Sequence, residues 1–131
     1  MSAFSNYLED QITGWIAGTS MTAPTATFVQ LYNGDPTDTG SSGTALFSRV
    51  TVASGAGSWT RGTGGAGTIT NASAITITSS ATATASATHF GVFTSATGGD
   101  MLFYGALTTS KSIAVGDEVK FNASALTLTV A

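Results

Sequence analysis

Covalent or acid–base catalysis needs an imidazole, a thiol or a pair of facing carboxylates, and this chain has one His, no Cys and seven Asp or Glu. A triad-type nucleophile requires a base beside it. The single imidazole, His89, sits inside the apolar run Ala87–Phe93, where it reads as a core or interface histidine. Ordinary zinc sites take three or four N or S ligands, which one His and no Cys do not supply. A glycosidase needs two carboxyls across one bond, but Glu9 and Asp10 fall on a helix, Asp35 and Asp38 in a loop, and Asp100, Asp117 and Glu118 at turns. Asp35 and Asp38 with nearby carbonyls invite an oxygen cage for calcium; their spacing does not match a calcium loop, and they read as turn formers. The run Gly62–Gly67 lacks the Lys and helix that follow a phosphate-cradling loop. The sequence is therefore read as a non-enzyme, with no catalytic residue, no metal and no cofactor.

The charge balance removes further classes. Two Lys and two Arg against seven acids give a net charge of −3, too little positive charge for the basic stripe that phosphate-backbone binding uses. Absence of Cys excludes a disulfide framework. No apolar run approaches the ~18 residues of a spanning helix, and the N-terminus lacks a signal-peptide pattern. Synthesis in a cytoplasm, with neither nucleic acid nor membrane as partner, is the expectation.

The elements that hold these residues are mostly strands. With 131 residues the chain is long enough for about one domain; 24 Thr, 16 Gly and two Pro favour short strands and tight turns. The fold class expected is mainly β: an antiparallel β-sandwich, jelly-roll-like, of seven to nine strands with one N-terminal α-helix. The helix falls within residues 1–18 and the β-domain within 24–131, with a flexible Gly/Ser/Thr-rich segment near 54–67. Its organising element is a hairpin, Ala87–Phe93 and Met101–Leu107 around the turn Thr94–Asp100, apolar on both faces and so covered on both sides. A second hairpin is expected from Glu118–Phe121 and Ala125–Val130.

Phe4, Leu8, Ile12 and Ile16 recur every four residues with Trp15 beside them, drawing one stripe along a helix of about four turns, capped by Ser2 or Asn6 and stopped at Gly18. That stripe lies either on the protein's own sheet or on a neighbouring subunit. Trp59 and Arg61 interrupt a stretch of small residues. An aromatic and a guanidinium are common interface anchors, and the neighbours look too small to bury an indole, so Trp59 is expected to be partly exposed and to contact another chain with Arg61. The candidate interface set is Phe4, Leu8, Ile12, Trp15, Trp59 and Arg61.

Tyr7-Leu8-Glu9, Leu31–Gly40, Thr88–Phe93 with Thr97-Gly98-Gly99, Leu102–Leu107 and Gly116-Asp117 together resemble a group of small virion proteins of tailed bacteriophages, variously labelled tail-fibre or capsid decoration (cement) proteins. The likeness covers most of the chain and is strongest from Thr88 onward. It implies a virion structural protein. Because the chain shows no shaft-like repeat, the expected role is capsid decoration on the outer capsid surface, with the major capsid protein as partner; the resemblance implies a homotrimer. A tail or tail-fibre component is the alternative. From another class, a carbohydrate-binding module would use Trp59 and Tyr32 as stacking rings.

Overall fold

The computed structural model describes residues 2–53, 58–79 and 84–129. Among these residues ten strands, more than the seven to nine expected, and one helix follow in the order β1 (Ser2–Phe4), α1 (Asn6–Ile16), β2 (Ala26–Asn33), β3 (Thr44–Ala53), β4 (Trp59–Arg61), β5 (Thr68–Asn71), β6 (Ile75–Thr78), β7 (Ala85–Phe93), β8 (Met101–Ile113), β9 (Glu118–Phe121) and β10 (Thr127–Thr129). The fold is mainly β, antiparallel and sandwich-like. A five-stranded sheet of order β1-β8-β7-β2-β3 forms one layer; β10-β5-β4 and β6-β9 form two smaller sheets.

The hairpin around which the sequence is organised is present as β7 and β8, paired from Phe93↔Met101 to Ala85↔Ile113. Its turn is closed by Thr94 N–H donating to the Asp100 carbonyl at 2.9 Å and Asp100 N–H donating to Thr94 Oγ1 at 3.0 Å. β7 lies at the centre of the large sheet, which explains why both of its faces are apolar. One face enters the main core, where Val29, Leu31, Phe90, Val92 and Phe103 meet Ile75, Ile77, Val119, Phe121, Leu126 and Leu128 of the small sheets. Phe90 and Phe103 pack edge to face at 6.1 Å, and burying such a ring contributes about 1.5–3 kcal/mol. The opposite face carries a smaller cluster of Tyr32, Phe93 and Met101. The loop after β2 closes over it: Pro36 is fully buried, and the Cα of Gly40 leaves space that a β-carbon would take from Met101, 3.3 Å away. Gly91 is equally constrained, because a β-carbon there would lie 3.1 Å from both Met101 Sδ and the Phe93 ring.

Three register irregularities shape the large sheet, one of them at the hairpin tip between Val92↔Phe103 and Phe93↔Met101. Between Val29↔Val50 and Leu31↔Leu46, β3 carries extra residues opposite Gln30, and Phe47 takes φ +63°. Buried Gln30 repairs the broken ladder, its Nε2 donating to the Leu46 and Phe47 carbonyls at 2.7 and 3.0 Å. Between Ala87↔Lys111 and His89↔Ala106, β8 bulges by several residues.

Three expectations are corrected here. The helix is shorter than four turns, since Phe4 belongs to β1, opposite Phe103. Its N-cap is Ser5, neither Ser2 nor Asn6: the Ser5 hydroxyl accepts the Leu8 N–H at 3.2 Å while also donating to β8 carbonyls. Gly18 does end it, at φ +98°. Strands β9 and β10 do not pair with each other; β9 pairs β6 and β10 pairs β5. Of the segment expected to be flexible, residues 54–57 lie outside the described residues, and the remainder contains β4.

The corner that separates β9 from β10 is built on Asn71, fully buried at the end of β5. Its Nδ2 donates to the Ser73 and Asn122 carbonyls at 2.8 and 2.9 Å, and its Oδ1 accepts the Leu126 N–H at 2.9 Å. Its backbone binds the same turn, through Ser124 N–H to the Asn71 carbonyl and Asn71 N–H to the Leu126 carbonyl.

Arg49 staples the hairpin tip. Its guanidinium lies 3.6 Å from the centre of the Phe93 ring and donates to the Ser95 and Gly98 carbonyls, both at 2.7 Å. Burial pushes the neighbouring Tyr32 phenol above its ordinary pKa, and Arg49 partly offsets that. Arg49→Ala is expected to cost about 1–3 kcal/mol. Hydrogen exchange should speed up at residues 94–100 before the rest of the sheet; unchanged exchange there would show that the turn holds without the staple.

Candidate interaction surface

The helix is delivered to the surface and left there. β1 fixes its start, Asn6 N–H donates to the Asp38 carbonyl at 3.0 Å, and no residue of α1 is buried. Leu8 and Ile12 are half-buried. Trp15 and Ile16, which continue the stripe, are 61% and 74% exposed, and Met21 just beyond is 46% exposed. The stripe is thus only partly covered by the protein's own sheet, and its C-terminal half faces solvent. The side chains around it are acidic: Glu9 and Asp10 are exposed with no base on the helix, and Glu9, Asp35 and Asp38 are near enough to help burial raise the Tyr104 pKa, burial being the larger cause.

Trp59 behaves otherwise than its sequence neighbours suggest. It is 8% exposed, its indole N–H donates to Thr27 Oγ1 at 2.9 Å, and its ring meets Phe103 edge to face at 5.8 Å. The expectation of a partly exposed Trp59 is overturned because residues distant in sequence, Thr27 and Phe103, supply the burial that its neighbours do not. Arg61, two residues along β4, is exposed. The six candidate residues therefore do not form one patch. Phe4 and Trp59 pack inward, Leu8, Ile12 and Trp15 share the helix, and Arg61 stands on β4. Tyr32, at 4% exposure, is buried like Trp59, so neither ring offers a face to a sugar.

A groove of about 810 Å³ lies between β8, β9 and the turn into β10. Phe90, Leu107, Phe121 and Leu126 contribute apolar walls, and Lys111 and Lys120 stand over it. Lys111 Nζ lies 5.9 Å from the Phe121 ring centre. These are two of the chain's four basic residues, and among the described residues no carboxylate lines the groove. Asp117 and Glu118 line a smaller adjoining hollow together with the same two lysines. No local motif marks the groove, because its walls come from separated strands.

His89 is half-buried, with Nδ1 2.9 Å from Thr88 Oγ1. Asp35 Oδ1 accepts the Thr37 N–H at 2.8 Å, an ordinary turn contact. Among the described residues no three His, Cys, Asp or Glu converge on a point that could hold a metal ion, and no helix is long and apolar enough to cross a membrane.

The β-sandwich thus displays an acidic, apolar-striped helix and a groove lined by two lysines. Residues 3–129 match the family model of podophage GP4 fiber I protein gp80. The chain belongs to that family, and so to the virion structural proteins of tailed bacteriophages. No curated protein matches it.

Proposed function

We propose that the protein is a structural subunit of a phage fibre, acting by self-association and by docking on another virion component, without catalysis. The observation that carries this reading is the family match, whose description names a fibre protein and which spans nearly the whole chain. It moves the preferred position from the capsid surface, expected from the lack of repeats, to the fibre. The exposed helix stripe supports self-association, since Trp15 and Ile16 side by side in water are the kind of surface that a partner covers. The homotrimer implied by the virion resemblance is carried forward as the stoichiometry.

Capsid decoration, with the major capsid protein as partner, is the second reading. The mixture of short strands in three unequal sheets favours it, as it lacks the periodicity of a fibre shaft. Copy number separates the two. Quantitative mass spectrometry of purified virions is expected to give a few to a few dozen copies per particle; hundreds would place the protein on the capsid lattice.

A further inference from the structure

We propose that Asn33-Gly34 is a latent deamidation site that the fold holds closed through Thr88. The reaction is intramolecular. The Gly34 backbone nitrogen gives up its proton to solvent base and attacks the Asn33 side-chain carbonyl carbon; the side-chain amide takes up a proton and departs as ammonia. Water then opens the five-membered imide at either of its carbonyls, leaving aspartate or isoaspartate at position 33. Water and base are the only co-reactants. Glycine suits the attacking position because it carries no β-carbon to screen the nitrogen and its backbone reaches conformations closed to other residues. Of the four asparagines only Asn33 precedes a glycine, while Asn6, Asn71 and Asn122 precede Tyr or Ala.

Asn33 is exposed, so water and base reach its amide. Geometry keeps the reaction from starting. Asn33 ends β2 opposite Thr44, and an antiparallel strand holds ψ at about +135°, which turns the following nitrogen away from the side-chain carbon. Attack needs the two atoms aligned within about 3–3.5 Å. The nitrogen is also tied down: Gly34 N–H donates to Thr88 Oγ1 at 2.8 Å, and that half-buried hydroxyl is itself placed 2.9 Å from His89 Nδ1. On its other side the Gly34 carbonyl lies against Gly43, where an added β-carbon would come within 2.8 Å of it. Gly34 is thus held at both its N–H and its carbonyl.

Deamidation therefore waits for local release of the 34–43 loop from β7. Its product makes that release permanent. Isoaspartate lengthens the main chain by one carbon, so Gly34 N–H no longer meets Thr88 in register. The same loop supplies the Asp38 carbonyl that accepts Asn6 N–H at the start of α1, and it buries Pro36. A transient opening is converted into lasting loss of the helix anchor.

The test follows Asn33 conversion in the full chain by mass spectrometry of digests after incubation at mildly alkaline pH. In guanidinium chloride the wild type is expected to deamidate at Asn33 about tenfold or more faster than when folded, since the folded chain reacts only through local opening. Thr88→Val keeps the side-chain shape and removes the acceptor; it should speed conversion in the folded chain about three- to tenfold, the factor expected for one net hydrogen bond. Thr88→Ser retains the hydroxyl and should stay within about twofold of wild type. Should the Val variant fail to fold by circular dichroism, amide hydrogen exchange of wild-type Gly34 carries the test, with protection expected beside an exposed Asn33. A folded wild type that converts as fast as the unfolded chain, a folded Val variant that converts like wild type, or a Gly34 amide that exchanges as in a free peptide would overturn the proposal.

Discussion

Trp59→Ala is expected to destabilise the protein by about 3–5 kcal/mol, the range for truncating a large buried aromatic. The indole fills space between the sheets against Phe103, and neighbouring Phe90 depends on the same ring stack. Thr27 Oγ1, which accepts the indole N–H and itself donates to the Val52 carbonyl, would lose one partner. Trp59→Phe should recover much of the packing but not that hydrogen bond, leaving an intermediate loss of about 1–2 kcal/mol. Urea unfolding followed by far-ultraviolet circular dichroism measures both. An alanine variant within about 0.5 kcal/mol of wild type would mean that Trp59 lies at the surface after all.

The second large effect belongs to Asn71. Leucine at this position keeps the branched heavy-atom shape but removes three side-chain hydrogen bonds, leaving the buried Leu126 N–H and the Asn122 and Ser73 carbonyls without their amide partner. A stranded buried polar group costs about 1–3 kcal/mol, so Asn71→Leu is expected to lose about 3–5 kcal/mol and to loosen the β9–β10 corner first. Asn71→Asp separates the roles: it retains the acceptor for Leu126 N–H but places a carboxylate oxygen against two carbonyls. It should therefore also be strongly destabilising, and less so at acidic pH, where protonation restores one donor. A pH-independent loss for the Asp variant would contradict this assignment of the amide.

These two residues also mark what the sequence did not disclose. The alternation of apolar residues and the turn chemistry at Thr94–Asp100 located the central hairpin closely, because both signals are local. The glycine stop after the helix was legible for the same reason, whereas β4 was not, because it lies within the segment expected to be flexible. Burial of Trp59 was not legible, since Thr27 and Phe103 lie tens of residues away. The failure of the last two strands to pair was hidden too. Their alternating pattern fits a hairpin, and only the buried amide of Asn71, reaching the turn from β5, diverts them into different sheets. Ser5 is hidden as a cap because the spacing of Phe4 fits the helix stripe, while pairing with Phe103 draws Phe4 into a strand.

The candidate surface was legible in part for similar reasons. A helix stripe is a local pattern, and Leu8, Ile12 and Trp15 stand where it placed them. The groove is not, because Lys111 and Lys120 become neighbours only through the fold. The family resemblance reached the virion correctly, and its two labels, fibre and capsid, diverge only in position.

Position in the particle is accordingly the central claim, and labelling intact virions tests it most directly. Antibody raised against the folded protein, with gold detection by electron microscopy, is expected to mark fibres and leave the capsid shell bare. Gold distributed evenly over the head, at many sites per particle, would contradict the fibre assignment.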